Sequence, residues 1–413
     1  MNKNILFVYK KLLNNNKNFY ISYFRIFLIF YSKHYLLIDN LNLNNSKSKI
    51  INYNSLSKLN TTFKNYIKNN SKNNSLNIIF FNNLYIYSNN FDLFLFIKII
   101  NNQNYNYLNL FNNFYFELFN NLSFVYIINL IFSINNYSIN IYNNIINKNI
   151  FIFNLFNFEI INNFLSIKKY ILINKNIKCN IIEFFFNDFN KIILNINMFF
   201  KLNNNTILNY YLISDFKNNG YNYITFFFKH YFNNILNFID IYLNQTYSFV
   251  TINSFLIGKH TRFNKKSIKI SKFHFIDKFI YNIYHYNDST QSNVFFISLS
   301  NNTSKLIFIG NIIVGNKIKH INANLKCEGL MLSNSSIIQF DPNMFINSND
   351  VQCFHGASIG CVNNTILKYM TSRGLDLNEC KKIIIISFLN KILNTNDINI
   401  SILKNNLKFN NIK

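Results

Sequence analysis

Residues 294–313 read VFFISLSNNTSKLIFIGNII and contain two short apolar runs, Val294–Leu299 and Leu306–Ile313, separated by a polar segment. The runs are rich in β-branched and aromatic residues, which is typical of strands, and the Asn, Ser and Lys residues between them favour a turn. No long helical pattern alternates with such runs, so a doubly wound sheet is disfavoured, and a sandwich, a barrel or a parallel β-helix is expected. The same pattern of short apolar runs separated by polar residues extends from about residue 122 to 337. Further runs occur at Phe124–Ile127, Phe151–Phe158, Tyr170–Ile173 and Ile181–Phe186.

The regions around this core have other patterns. Residues 1–115 are Asn-rich and predict an N-terminal helical and low-complexity region. The β core is expected over 116–360, where the strongly biased stretch 187–240 is a possible insertion. Residues 361–413 predict a C-terminal helical region.

Two helices are expected in that C-terminal region. Apolar residues at helical spacing predict a helix over 366–373 that ends at Gly374. Asp376, followed three residues later by Glu379, predicts the start of a second helix over 377–393.

The charge of the chain at first suggests a nucleic-acid partner. The 413 residues include 41 Lys and Arg against 16 Asp and Glu, a net charge of +25, and basic proteins gain affinity for polyphosphates. All but three of these cations are lysine, and Asn, Ile, Lys, Phe and Tyr dominate while Ala, Gly, Pro and Arg are scarce. An AT-biased genome produces this composition in any protein, so the charge is weak evidence for nucleic-acid binding.

The scarce residues are concentrated near the C-terminus. Of eight glycines, none precedes Gly220, and the single proline, both alanines and four of the five cysteines lie between 323 and 380. Residue types that the rest of the chain has lost are thus retained where backbone conformation or chemistry requires them. We expect the functional site in this segment.

The chain has few targeting or membrane signals. No small-residue cleavage site follows the N-terminal apolar patch, and no stretch of about 18 uninterrupted apolar residues occurs. Five cysteines are too few for a disulfide-stapled scaffold. A soluble protein in a compartment that tolerates free thiols is expected.

A cysteine and histidine group is the candidate for chemistry. Cys353 and His355 stand two residues apart, so on a strand their side chains leave the same face, and Cys327 and Cys361 lie on either side in sequence. Thiolate and imidazole suit iron, zinc or iron–sulfur clusters, although the spacing matches no standard zinc pattern. The alternative is that these are core residues, which is the expected role of the cysteines in apolar runs, Cys179 and Cys380.

An enzyme that acts alone is not indicated. No GxxxxGK[ST] or GxSxG motif occurs, and 16 acidic residues supply little general acid–base material.

Several spaced motifs in this segment resemble the C-terminal signature of the SufB/SufD family. They are CEGLML at 327–332, Pro342, DVQCFHGASIG at 350–360, and LKYMTSRGL at 367–375. A weaker similarity is SFVYI at 123–127, which is similar to the start of the family's β-helical core.

The resemblance implies a scaffold for iron–sulfur cluster assembly, not an enzyme. It implies a right-handed parallel β-helix core with terminal helical regions, which pairs with SufD through the β-helix and carries a transient cluster. Sulfur would come from the cysteine desulfurase SufS with SufE, and the need for reduced flavin stays open. The family's cluster cysteine falls on Cys327 and its interface histidine on His355, while the SufC ATPase would dock on the C-terminal helices at Tyr369, Met370, Arg373 and Gly374.

Within the family, Cys327-Glu328 and the sequence SFVYI favour the SufB type, which is the prediction, whereas Cys353 and Gly356 favour the alternative, SufD. SufB is the type retained in plastid genomes, so the AT bias predicts an organelle-encoded protein of the plastid (apicoplast) stroma. The family's sulfur-accepting cysteine is absent after Ile182-Glu183, which leaves Cys179, Cys353 and Cys361 as possible sulfur relays or secondary ligands.

A plastid RNA-binding protein is the alternative from another class. In that interpretation Cys327, Cys353, His355 and Cys361 hold a structural zinc ion, lysines contact phosphates, and Tyr and Phe stack on bases.

Overall fold

The computed structural model describes residues 76–81, 84–88, 97–101, 135–144, 149–156, 164–187, 193–216, 220–243 and 247–393. These residues form 19 strands followed by two helices. The strands are β1 Leu76–Phe81, β2 Leu84–Ser88, β3 Ile97–Asn101, β4 Asn135–Ile141, β5 Asn149–Phe156, β6 Phe164–Ile173, β7 Lys178–Asn187, β8 Ile193–Leu202, β9 Ile207–Phe216, β10 Tyr221–His230, β11 Ile235–Tyr242, β12 Tyr247–Leu256, β13 Arg262–Ser271, β14 Ile276–His285, β15 Gln291–Ser300, β16 Lys305–Val314, β17 Ile321–Met331, β18 Ile337–Ile346 and β19 Val351–Cys361. The helices are α1 Asn364–Ser372 and α2 Leu377–Leu393.

The strands wind into a parallel β-solenoid. Odd-numbered strands from β5 to β19 pair in one sheet, even-numbered strands from β4 to β18 pair in the other, and all these pairings are parallel. The chain therefore alternates between the two sheets and completes one coil every two strands. One coil is about 29 residues long, because Asn253 in β12 lies next to Asn282 in β14. The family expectation of a β-helix is confirmed over the described residues.

Side-chain alternation builds the core of the solenoid. In β16, every second residue is buried and the intervening ones are partly exposed, which is the period-2 pattern expected of a strand with one covered face. The inward residues of both sheets form one apolar cluster that runs from Ile78 to Ile338. The strand interpretation of Val294–Leu299 and Leu306–Ile313 is thus correct.

Asparagine stabilises the coils in two ways. At the turns, Asn176, Asn205 and Asn233 adopt positive φ, which Asn tolerates better than other residues with a Cβ, and their amides hydrogen-bond to one another at 3.0 Å. On the outer face of the odd-numbered sheet, successive coils contribute a ladder of amide hydrogen bonds of 2.7–3.2 Å: Asn149, Asn180, Asn209, Asn237, Asn264, Asn293 and Asn324.

We expect Asn237→Ala to lower the free energy of unfolding by about 1 kcal/mol, because the amides of Asn209 and Asn264 each lose a partner. Urea unfolding followed by circular dichroism measures the change. Asn316→Ala, on an exposed turn, is the control and is expected to stay within about 0.5 kcal/mol of wild type. Equal stability of the two variants would show that the ladder contributes nothing.

The structure corrects the expectation of an insertion at 187–240. This stretch contains β8 to β11, which continue both ladders in regular register. Its Asn-rich sequence obscured the strands, because Asn209 and Asn237 occupy outward ladder positions and Asn205 and Asn233 occupy turns, while Leu, Ile, Phe and Tyr point inward.

Toward the N-terminus, the described parts of 1–115 are the strands β1, β2 and β3, and not helices. The rest of that region lies outside the described residues, as does the SFVYI phrase at 123–127.

The two predicted C-terminal helices are confirmed. Asn363 caps α1 through a hydrogen bond from the Thr365 amide, and Gly374, at φ +89°, ends it. Helix α2 packs against β13, and its buried residues are Cys380, Ile385, Leu389, Ile392 and Leu393. Neither described helix is long and apolar enough to cross a membrane.

Candidate cluster-binding site at the terminal coil

The last coil brings Cys327 and His355 together. Strands β17 and β19 pair so that Leu325 faces His355 and Cys327 faces Ala357. Leu325 and Cys327 both point into the core, so His355 and Ala357 lie on that same inward face of the edge strand. From the strand spacing and rise, the Cα atoms of Cys327 and His355 lie about 8 Å apart, a separation that one metal ion or small cluster between the two side chains can bridge.

Cys327 is sealed from solvent. Its side chain is only 1% exposed, and burial raises the pKa of the thiol to about 12. A Cβ at Gly329 would lie 3.0 Å from both Ile338 and Phe340, so this scarce glycine permits β18 to pack closely beside the cysteine. The thiol is therefore protonated and protected until the terminal coil opens or a metal displaces the proton.

Glu328 faces the opposite way from Cys327 and meets two lysines. Its Oε1 accepts a hydrogen bond from Lys326 at 2.7 Å, and its Oε2 accepts one from Lys391 of α2. Burial by itself would raise the pKa of Glu328, but these two lysines hold it below its usual value. No local sequence pattern predicts the pair with Lys391, because 63 residues separate the partners.

Of the other candidate sulfur residues, Cys353 lies near His355, whereas Cys361 and Cys179 are distant from it. Cys353 faces inward next to Ala323 and is partly buried, which raises its pKa, whereas Cys361 is exposed at the far end of β19, about 26 Å away along the strand. Cys179 lies in β7, buried, with its pKa raised to about 12. It occupies the same inward column as Cys353 but six strand spacings away, about 29 Å.

The zinc site of the RNA-binding interpretation is not formed. Among the described residues, no three His, Cys, Asp or Glu side chains lie close enough together to hold a metal ion. The reason is that Cys353 and Cys361 stand at opposite ends of one extended strand.

The inside of the solenoid also carries buried ion pairs, which the sequence did not predict. Lys265 pairs with Asp240, and both side chains are fully buried. Tyr242 donates a hydrogen bond to Asp240 at 3.1 Å, and the ammonium of Lys265 lies 3.4 Å from the ring centroid of Phe238. Lys169 and Glu183 form a similar pair nearer the N-terminal end of the described solenoid.

Two exposed apolar surfaces flank the Cys327 region. The first, the terminal edge, comprises the outermost described strands β18 and β19, with exposed Ile337, Phe345, Ile346, Phe354 and Ile359. The second, the helix patch, lies on α1, the following turn and α2, with exposed Ile366, Tyr369, Leu375, Leu377 and Ile383.

The predicted docking residues lie on or near the helix patch. Tyr369 is 61% exposed and stacks under Arg373, whose guanidinium carbon lies 5.3 Å from the ring centroid. Met370 is partly exposed, and Gly374 forms the turn between the helices.

The described residues thus form a parallel β-solenoid in which Cys327 and His355 share the inward face of the last two paired strands of one sheet. Residues 162–388, more than half of the chain, match the family model of the SUF system FeS cluster assembly SufBD core domain. The chain therefore belongs to the SufBD family of iron–sulfur cluster assembly proteins.

Curated relatives agree with this assignment. Iron–sulfur cluster assembly SufBD family proteins of Staphylococcus aureus strain USA300 and of Staphylococcus epidermidis are 26% and 25% identical to this chain over 180 residues. The matched segment covers 44% of this chain and 39% of the length of each relative.

Proposed function

We propose that the chain is the SufB-type scaffold subunit of the SUF complex, on which a nascent iron–sulfur cluster is built with Cys327 and His355 as ligands. The register of β17 and β19, which puts both side chains on one inward face, carries the proposal. A thiolate binds iron and sulfide, and an imidazole can ligate iron or move a proton. In this role the chain is a scaffold that works with a separate SufC ATPase.

The ligand set supports assembly at an interface with a second subunit. Two side chains do not complete the coordination of a cluster, so further ligands must come from a partner or from the sulfur donor. Among the described residues, β18 and β19 are the last strands of their sheets, and their exposed Phe345, Phe354 and Ile359 suit contact with strands of another chain. We propose a SufD-type subunit there.

The test is anaerobic reconstitution with iron, cysteine, the SufS desulfurase and SufE in the presence of SufC- and SufD-type partners. A cluster absorption band is expected with the full set. Parallel reactions with reduced flavin and with dithionite compare flavin with a chemical reductant as the electron source. No band with any reductant would overturn the proposal.

A SufD-type role is the second candidate, since the Cys353-x-His355-Gly356 sequence favours it. The two candidates differ in which cysteine is indispensable. Loss of the cluster in Cys353→Ala together with normal assembly in Cys327→Ala would favour the SufD type.

We propose that sulfur enters through Cys361 or Cys353 rather than Cys179. Persulfide transfer needs an accessible thiolate, and Cys361 is exposed and Cys353 partly so, whereas Cys179 is buried. Mass spectrometry after treatment with SufS and SufE would identify the modified residue, and a persulfide on Cys179 alone would refute the proposal.

We propose that the helix patch binds the SufC ATPase, because Tyr369 and its apolar neighbours form a cluster of exposed apolar side chains. Tyr369→Glu is expected to weaken capture of SufC by at least about tenfold, since it puts a charge into an apolar contact. Pull-down at low salt measures this. Asn316→Glu adds the same charge on a solenoid turn and is expected to bind normally; equal binding by both variants would exclude the patch.

We also propose a plastid (apicoplast) stromal location with organellar encoding, supported by the AT-biased composition. Sequencing of purified organellar DNA tests this, and a nuclear location of the gene would contradict it.

A further inference from the structure

Glu328 links the strand of Cys327 to helix α2. It is the residue directly after Cys327, its side chain is 9% exposed, and both of its carboxylate oxygens are bound by lysines. One lysine, Lys326, belongs to β17 itself. The other, Lys391, belongs to the last turn of α2, so the carboxylate joins two elements that are distant in sequence.

This contact differs from the rest of the helix packing. Helix α2 otherwise rests on its apolar face, with Ile385, Leu389 and Ile392 buried, and apolar contacts of this kind do not fix one register along a sheet. In the described part of the chain, the pair of Lys391 with Glu328 is the ion pair that joins a helix to the solenoid. A hydrogen-bonded charge pair is directional, so it fixes where the end of α2 meets β17.

We infer that Glu328 is a positioning residue, which holds β17 at Cys327 in place by tying it to Lys391 of α2. Glu328 and Cys327 are joined by one peptide bond, so a displacement of Glu328 also moves the backbone that carries the Cys327 thiol. The inference rests on the proposed function only in giving Cys327 a role as ligand, because the anchoring itself can be measured without a cluster.

The chain contains its own probes for this measurement. Cys327 reports on β17, Cys380 reports on α2, and Cys179 reports on the distant end of the solenoid, and all three are buried. A buried thiol reacts with N-ethylmaleimide only when its surroundings open, so site-resolved labelling of the full chain, read by mass spectrometry of peptides, measures local opening at each place.

Lys391→Gln is expected to raise the labelling rates of Cys327 and Cys380 about tenfold and to leave that of Cys179 unchanged, because only the tie between α2 and β17 is lost. Lys391→Arg keeps the charge and should label as wild type. The double variant Glu328→Lys with Lys391→Glu retains two cations and one anion at the site and is expected to restore protection. Lys381→Gln, an exposed lysine of the same helix, is the matched control and should have no effect.

Two results would overturn the inference. Unchanged labelling of Cys327 in Lys391→Gln would show that the pair does not hold the strand. A parallel rise at Cys179 would show general destabilisation instead of local positioning. Failure of the proposed function is seen separately: if Cys327 and Cys380 respond as expected but no cluster forms with the partners, the positioning role stands and the scaffold role falls.

Discussion

Cys327→Ala is expected to abolish the cluster absorption band in reconstitution with the SufC- and SufD-type partners. The substitution removes the thiol that lies on the neighbouring strand β17, on the inward face that it shares with His355. Cys327→Ser should fail as well, because a hydroxyl keeps the shape of the side chain but is a poor ligand for iron and sulfide. The measurement is the ultraviolet–visible spectrum, together with the iron and sulfide content of the complex.

Matched controls separate ligation from folding. Cys380→Ala removes an equally buried thiol from α2 and is expected to leave the band intact. Both alanine variants should lower the free energy of unfolding by about 1 kcal/mol through the lost side-chain volume, so their unfolding midpoints should be similar. If Cys327→Ala assembles and transfers clusters normally, Cys327 is not the ligand.

The largest effect on stability is expected from Lys265→Met. The variant leaves the carboxylate of Asp240 buried without its counter-charge, which typically lowers the free energy of unfolding by about 3–5 kcal/mol. Burial lowers the pKa of Lys265 to about 8, although the nearby charge of Asp240 acts in the opposite direction. The buried ammonium is therefore stable only because Asp240 is next to it. Urea unfolding, combined with hydrogen exchange of β11 and β13, measures the loss.

Two comparisons make this result specific. Lys259→Met breaks an exposed ion pair with Asp288, at 2.9 Å. Because solvent screens that pair, the variant is expected to have the same free energy of unfolding as the wild type within measurement error. Asp240→Leu combined with Lys265→Met removes both charges and should recover most of the loss. If Lys265→Met proves as stable as Lys259→Met, the buried pair is not needed.

Local sequence predicted the strands well and their arrangement poorly. The run Val294–Leu299 indicates a strand by composition alone, but a sandwich, a barrel and a solenoid all use such runs. The coil repeat is hidden because an inward position accepts Ile, Leu, Phe or Tyr equally, as the paired Leu208, Leu236 and Phe263 illustrate. Only the resemblance carried by the segment 327–375 favoured the β-helix.

The candidate site was predicted only where its residues are close in sequence. Cys353 and His355 stand two apart, so strand geometry put them on one face. The contacts of Lys391 with Glu328 and of Lys265 with Asp240 depend on how distant elements pack, and no local pattern records that. The same limit explains the zinc hypothesis, which treated Cys353 and Cys361 as neighbours although an extended strand keeps them apart.

The asparagine ladder repeats from coil to coil. Each odd-numbered strand from β5 to β17 presents an asparagine amide at the same point, and each coil contacts mainly the coil before and the coil after it. Excision of the coil that contains Asn209 would place Asn180 next to Asn237, so the ladder of amide hydrogen bonds could continue across the new junction. Deletion or duplication of whole coils can therefore change the length of the solenoid, and with it the distance from Cys179 to the terminal coil, except where a buried ion pair such as Lys265 with Asp240 joins two neighbouring coils.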